Sequence, residues 1–358
     1  MYKRIIIKVG TNVLTRGDGR LDIARLKHLV EQIAAARGRG AEVVLVSSGA
    51  MGAGRSLITP KKADKIAEKQ VLAAVGQVEL MRTYSEAFAR HSLRCAQVLA
   101  TKEDFRDRTH YLNMRTCFEN LLASGVVPVV NENDVVATTE LLFTDNDELA
   151  GLVASQLNAD AVIILTSTEG FMAGDPSDQK SKVVSEIAYG DIDSYEKYIS
   201  PDKTSFGRGG MLTKFAIAKK LASQGIAMHL ASGMRESVIA DILGGRAVGT
   251  RFLPRGRSSA IKRRIAYSEG LTKGSVQVNK CAQELLLSKT KIMSLLPVGA
   301  IGVKGDFEKG DIIEILGEGG EKLGFGIAEY GAERARELLG VQKARPIIHY
   351  NHMFIIGT

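Results

Sequence analysis

Short apolar, β-branched runs alternate with longer stretches of helical periodicity through about the first 250 residues, and no other feature of this sequence restricts the fold so much. The runs at 4–9 (R-I-I-I-K-V), 42–47 (E-V-V-L-V-S), 94–99, 126–130 (V-V-P-V-V), 161–165 (A-V-I-I-L) and 226–230 read as strands. Helical stretches accompany them near 22–37, 64–90, 110–124, 147–157, 213–224 and 236–243. Strands joined by helices of this length need crossover connections, which make the sheet mostly parallel. Strands that are apolar along their whole length, rather than at alternate positions, need cover on both faces. The expected fold is therefore α/β, a three-layer sandwich around a mostly parallel sheet.

The chain has 358 residues, room for a second domain. Over 251–273 the texture changes to R-F-L-P-R-G-R-S-S-A-I-K-R-R-I-A-Y-S-E-G-L-T-K, seven Lys or Arg against one Glu. A solvated basic face is the ordinary reading of such a run. It serves here as a connection that could include a last strand of the first domain. Short strands with Gly-rich turns follow (V-Q-V-N, A-I-G-V-K-G, D-I-I-E-I-L, G-F-G-I-A-E-Y), as in a small, mainly β barrel. The expected division is 1–253 for the first domain, 254–274 for the basic connection and 275–358 for the second domain.

Ligands of an open parallel sheet bind at the carboxyl ends of its strands. Polar and Gly-rich segments fall at those ends: Gly10-Thr11, Ser47-Ser48-Gly49, Asn131-Glu132-Asn133-Asp134 and Thr166-Ser167. There is no G-x-x-x-x-G-K-[ST] loop, no G-x-G-x-x-G after a strand, and no H-R-D or D-F-G pair. Instead Lys8-Val-Gly-Thr follows the first strand, a Gly-rich turn runs from Ser47 to Gly54, and Gly207-Arg-Gly-Gly-Met-Leu-Thr-Lys214 opens a helix. Glycines let backbone N–H groups approach an anion, and a helix N-terminus adds partial positive charge. Each element alone has an ordinary reading: a tight connection, a surface lysine at Lys8 or Lys214, a helix cap at Asp145-Asn146-Asp147. Together at the strand ends they point to a phosphate-handling site.

The net charge of +8 suits an anionic ligand and permits RNA without requiring it. Three scattered cysteines and six unclustered histidines give no metal-ligand spacing, so no zinc site is expected. No apolar run nears the ~20 residues that cross a bilayer, and the short apolar run before Lys8 is no signal-peptide core. The expected location is the cytoplasm.

Lys8-Val-Gly-Thr-Asn-Val-Leu, Ser47-Ser-Gly-Ala, Lys69-Gln-Val-Leu-Ala-Ala-Val-Gly-Gln77, Asn131-Glu-Asn-Asp134, Thr144-Asp-Asn-Asp147 and Gly209-Gly-Met-Leu-Thr-Lys214 resemble the glutamate 5-kinase branch of the amino-acid-kinase family. Ser294-Leu-Leu-Pro-Val-Gly and Gly305-Asp-Phe-Glu-Lys-Gly-Asp311 resemble a PUA domain, a module appended to many such kinases and present in RNA-modifying enzymes. The resemblance implies the amino-acid-kinase fold followed by a PUA-type barrel. It also implies phosphorylation of the γ-carboxylate of L-glutamate by ATP with Mg²⁺, giving L-glutamyl 5-phosphate and ADP in the first step of proline biosynthesis. Lys8 and Lys214 would act on the transferring phosphoryl group from two sides, and Asp147 would hold them and help organise the metal-nucleotide. Ser48, Asp134 and Asn146 would bind the amino acid, with Asp145 supporting that pocket. Thr166, Ser167, Arg208, Gly209, Gly210, Met211, Leu212 and Thr213 would line the nucleotide together with both lysines. No protein metal site is implied, since Mg²⁺ would be carried with ATP. Feedback inhibition by proline and a homo-oligomer, dimer or tetramer, are further implications. Ser167 and Arg208 depart from the family's usual Asp and Thr, both on the nucleotide side.

The residue types suit that chemistry. A glutamate side chain, with pKa near 4.3, is already an anionic nucleophile at neutral pH and needs no general base. A sister kinase acting on acetylglutamate or aspartate is the alternative within the class. An RNA-binding protein acting through the C-terminal domain is the alternative outside it. Only Phe252 and Tyr267 stand in the basic run, few aromatics for single-stranded RNA.

Overall fold

The computed structural model describes residues 2–60, 65–136, 145–173, 182–199, 210–256, 272–288 and 293–356. The chain divides into two compact units, one from 1–101 and 115–257, the other from 102–114 and 258–358. Most of the basic connection lies outside the described residues. No helix among the described residues is long and apolar enough to cross a membrane.

In order, the chain forms β1 (Arg4–Val9), α1 (Thr11–Leu14), α2 (Ile23–Gly38), β2 (Glu42–Ser47), α3 (Ala50–Arg55), α4 (Lys65–Ala89) and β3 (Cys95–Ala100). Next come α5 (Lys102–Arg106), α6 (Arg108–Ala123), β4 (Val127–Glu132), α7 (Asn146–Leu157), β5 (Ala161–Thr166), β6 (Glu186–Ile187) and α8 (Ile192–Tyr195). Then follow α9 (Met211–Ser223), β7 (Ala227–Ser232), α10 (Val238–Leu243) and β8 (Thr250–Phe252), and all of these but α5 and the start of α6 belong to the larger unit. Its eight strands are ordered β3-β4-β2-β1-β5-β7-β8-β6. All neighbours run parallel except β7 and β8, which are antiparallel.

Strand parity sorts the side chains between the two faces. Ile5, Ile7 and Val9 of β1 and Val43 and Leu45 of β2 join one core with Leu26, Leu29 and Ile33 of α2, Tyr84 and Phe88 of α4, and Ile239 of α10. Residues of the opposite parity, Ile6 and Val44, are equally buried but outside that cluster. Helix α7 packs on β1 and β5, and α9 packs on α7 and β7. Lys8 has the parity of Ile6. Three isoleucines and a β-branched partner strand thus deliver one lysine to the end of the central strand.

One expectation needs correction. The Gly-rich stretch 47–54, read as a turn, contains α3, whose N-cap Gly49 sits at φ 104 in the left-handed region that glycine adopts freely. The helix forms because it packs against α4 without side chains in the way, most closely at Gly76.

The second unit contains β9 (Gly274–Val278), α11 (Lys280–Leu287), β10 (Ala300–Gly305), β11 (Ile312–Leu316), β12 (Lys322–Ala328), α12 (Ala332–Glu337) and β13 (Ile348–Ile355). The strands are ordered β10-β9-β11-β12-β13, antiparallel except for the β9–β11 pair. Val276, Phe307, Ile313, Ile315, Leu323 and Ile348 anchor its core. Lys273 lies 3.3 Å from Asp311 and 3.8 Å from Asp107, tying the 102–114 segment into this unit.

Candidate functional site

Asp145 starts the construction. Its carboxylate caps α7, accepting the backbone N–H groups of Asp147 at 2.7 Å and Glu148 at 3.2 Å. The cap sets the first helical turn, and there Asp147 turns inward until none of it is exposed. Lys8 approaches from β1 and Lys214 from the first turn of α9, which begins after Gly210. Lys8 Nζ lies 2.5 Å from Asp147 Oδ1, and Lys214 Nζ lies 2.9 Å from Oδ2. The two ammonium groups therefore grip opposite oxygens of one carboxylate, and each lysine is itself more than nine-tenths buried.

The electrostatics follow from this geometry. Burial works to raise the Asp147 pKa, but the charges of Lys8 and Lys214 outweigh it and hold the carboxyl below the usual range. Asp145 moves the other way, raised first by burial and then by the Asp147 charge. The Asp147 carboxylate is shared by the two cations, and the Asp145 carboxyl, which also feels both lysines, is made harder to ionise by its burial and by the Asp147 charge. Two buried ammonium groups that share one directly bound carboxylate can receive an anion.

Beside this bridge lies a set of polar contacts. Ser48 follows β2, its N–H bonded to Val9 O at 3.2 Å. Asn146 Nδ2 donates to Ser48 Oγ at 2.8 Å and to Asn131 Oδ1 at 3.1 Å. Asn131 in turn donates from Nδ2 to Gln77 Oε1 at 3.0 Å. Gln70, two turns earlier on the same face of α4, donates to Val135 O at 2.9 Å. Asp134 stands half-buried in the turn after β4.

The structure thus brings Lys8, Asp147 and Lys214 into direct contact and joins Ser48 to Asn146. The adjacent positions of Asn146 and Asp147 link the two groups. Thr166 closes β5, where its carbonyl accepts from Gly233 N at 2.8 Å, and Ser167 beyond it is exposed. Gly210, Met211, Leu212 and Thr213 form the entry to α9 ahead of Lys214. Arg208 and Gly209 lie outside the described residues, as does Thr144. Asn131 and Gln77 belong to motifs visible in the sequence, yet neither was expected as a site residue. Nothing in residue type reveals that a helix glutamine meets a strand asparagine.

The family model of the amino acid kinase family matches residues 3–232, and that of the PUA domain matches residues 274–350. A protein of Chlorobaculum tepidum named glutamate 5-kinase is 47% identical over 357 residues, covering 99% of this chain and 98% of its own. A Bacteroides thetaiotaomicron protein of the same name is 45% identical, with 99% of both chains covered. Among solved structures, carbamate kinase from Giardia lamblia bound to AMP-PNP aligns at a TM-score of 0.52 and 19% identity, over 70% of this chain and 98% of that one. UMP kinase from Bacillus anthracis aligns at 0.51 and 16% identity, over 71% and 97%. At these identities the solved structures bear on the fold alone.

Proposed function

The chain belongs to the amino acid kinase family, within its glutamate 5-kinase branch, and from that premise we propose how its site works. The protein is a glutamate 5-kinase: it transfers the γ-phosphoryl group of ATP to the γ-carboxylate of L-glutamate, the entry step of proline biosynthesis. A bond forms between a carboxylate oxygen and the γ-phosphorus while the bond from that phosphorus to the β,γ-bridging oxygen breaks. Glutamyl 5-phosphate and ADP result. No proton has to move, because the attacking carboxylate is ionised at neutral pH.

The obstacle is repulsion between two anions, and the observation that carries the reading is the Lys8–Asp147–Lys214 bridge. In this reading the two lysines neutralise the transferring group from opposite sides, and Asp147 aims them. Ser48, Asn146 and Asp134 hold the amino acid, Asp134 being a natural partner for its ammonium, and Asp145 supports them through the α7 cap. Thr166, Ser167 and the entry to α9 from Arg208 line the nucleotide. Magnesium would come in on the triphosphate, since ammonium groups already occupy both oxygens of Asp147. Bound there, the ion would neutralise β- and γ-phosphate oxygens.

Proline, which shares the ammonium and carboxylate of glutamate, is proposed as a competing inhibitor of the same pocket. Ile66, Val71 and Val78 stand exposed on α4 and support self-association into a dimer or tetramer, which ultracentrifugation would reveal. A cytoplasmic enzyme is the matching location.

The deciding assay traps ATP-dependent acyl phosphate from glutamate with hydroxylamine, beside acetylglutamate and aspartate. Hydroxamate from glutamate is the expected result. Hydroxamate from acetylglutamate alone would replace the substrate assignment.

A further inference from the structure

The hydrogen-bonded amides beside Ser48 have a polarity, and both ends of the series are left open. The N–H of Glu132 donates to Asn131 Oδ1 at 2.9 Å. A backbone N–H can only donate, so this contact decides which side of the Asn131 amide carries oxygen. Asn131 Oδ1 also receives Asn146 Nδ2 at 3.1 Å, while Asn131 Nδ2 donates to Gln77 Oε1 at 3.0 Å. One strand N–H thereby orients three side-chain amides. Asn146 is left with Oδ1 at its outer end, and Gln77 is left with Nε2.

Those two atoms are buried, and neither has a hydrogen-bond partner among the described residues. Open buried polar groups are costly, and a native fold keeps them where something else completes them. One end is only a donor and the other only an acceptor. A ligand answering both presents an acceptor at one end and a donor at the other. An α-amino acid carries just such a pair, a carboxylate and an ammonium on one carbon.

We propose that Gln77 is a substrate-recognition residue: its Nε2 donates to the α-carboxylate of the amino-acid substrate, while Asn146 Oδ1 accepts from the ammonium. This rests on glutamate being the substrate and adds the group that reads the carboxylate that is not phosphorylated. Helix α4 is well placed for the task. Through Gln70 and Gln77 one helix face holds both ends of the 131–135 segment, so the Gln77 amide is anchored relative to Asn131. With the α-carboxylate held, only the γ-carboxylate remains for the phosphoryl group. A substrate lacking the α-carboxylate leaves Gln77 Nε2 unpaired and is rejected for that reason.

The test is steady-state kinetics of the full chain and of Gln77→Leu and Gln77→Glu, with glutamate, 4-aminobutyrate and ATP. The glutamate variant keeps an oxygen toward Asn131 but removes the donor. Both variants should raise KM for glutamate about tenfold or more, with KM for ATP within about twofold. Their preference for glutamate over 4-aminobutyrate should shrink by about the same factor. A Gln77→Glu enzyme with wild-type KM for glutamate would overturn the proposal, since the residue would then only orient Asn131. Wild-type preference in Gln77→Leu would overturn it equally. If that variant fails to fold, Gln77→Glu decides. An unmodified chain inert toward glutamate would remove the substrate assignment itself and this inference with it.

Discussion

At the scale of single residues, the Asp147 carboxylate matters most because two buried cations depend on it. If Lys8 and Lys214 offset the charge of the transferring group as proposed, replacing either by Ala should lower kcat by roughly a hundredfold in the hydroxylamine assay. Near-normal turnover in both variants would refute their roles. Asp147→Asn removes the one carboxylate that both buried ammonium groups contact directly and should cost about 3 kcal/mol in urea unfolding besides the activity. His229 gives a pH prediction. Burial, with the Arg251 charge adding to it, pushes its imidazole down to about 4 from the ordinary 6.5, and Tyr2 Oη lies 3.0 Å from Nε2. The ring stays neutral in the folded chain while the unfolded chain takes up a proton below pH 6.5. The stability this contributes is intact above that pH and is lost as the pH falls toward 4, by up to roughly 3 kcal/mol. His229→Gln should flatten that part of the stability curve, and an unchanged slope would contradict the assignment.

At the scale of elements, the contact between α3 and α4 sets the backbone that carries Ser48. A Cβ at Gly76 would lie 1.8 Å from the carbonyl oxygen of Ala50, a backbone atom with no freedom to swing aside. Gly76→Ala should destabilise the chain by about 2–3 kcal/mol and lower activity, because the strain falls on the helix that opens beside Ser48. Gly38, at the end of α2, has open space where its Cβ would be. Gly38→Ala should be neutral or stabilise by about 0.5 kcal/mol. Thermal unfolding of the two variants compares them directly. Equal melting temperatures would mean that α3 is not tightly held.

At the scale of the whole molecule, residues 102–114 belong with the second unit although they precede most of the first unit's strands in the chain. Arg106 and Asp107 meet Thr272 and Lys273, the latter also held by Asp311. A chain ending at residue 256 loses those partners. Amide hydrogen exchange over 102–114 should then accelerate, while the buried strands β1, β2 and β5 keep their protection. Unchanged exchange in 102–114 would show that the segment is held without the second unit.

Local pattern made the sheet of the larger unit legible: β2 occupies 42–47 as read, and β1, β5 and β7 lie within two residues of their expected ends. Burial of a β-branched run is written in adjacent residues, so it can be read one segment at a time. β6, a strand of two residues, carries too little pattern, whereas β8 meets the start of the basic stretch, where a last strand was allowed for; α3 was hidden because its glycines signal a turn unless the helix packed against them is known. The site divides the same way. Lys8, Asp147 and Lys214 had ordinary readings one by one, gathered weight only jointly at the strand ends, and took their roles from the family resemblance; the sharing of one carboxylate by two ammonium groups required parity on β1, a cap at Asp145 and the start of α9 to converge. Asn131 and Gln77 were invisible as partners for that reason too. Periodicity reports what a residue faces along its own element; which side chains of distant elements meet is decided by how those elements pack.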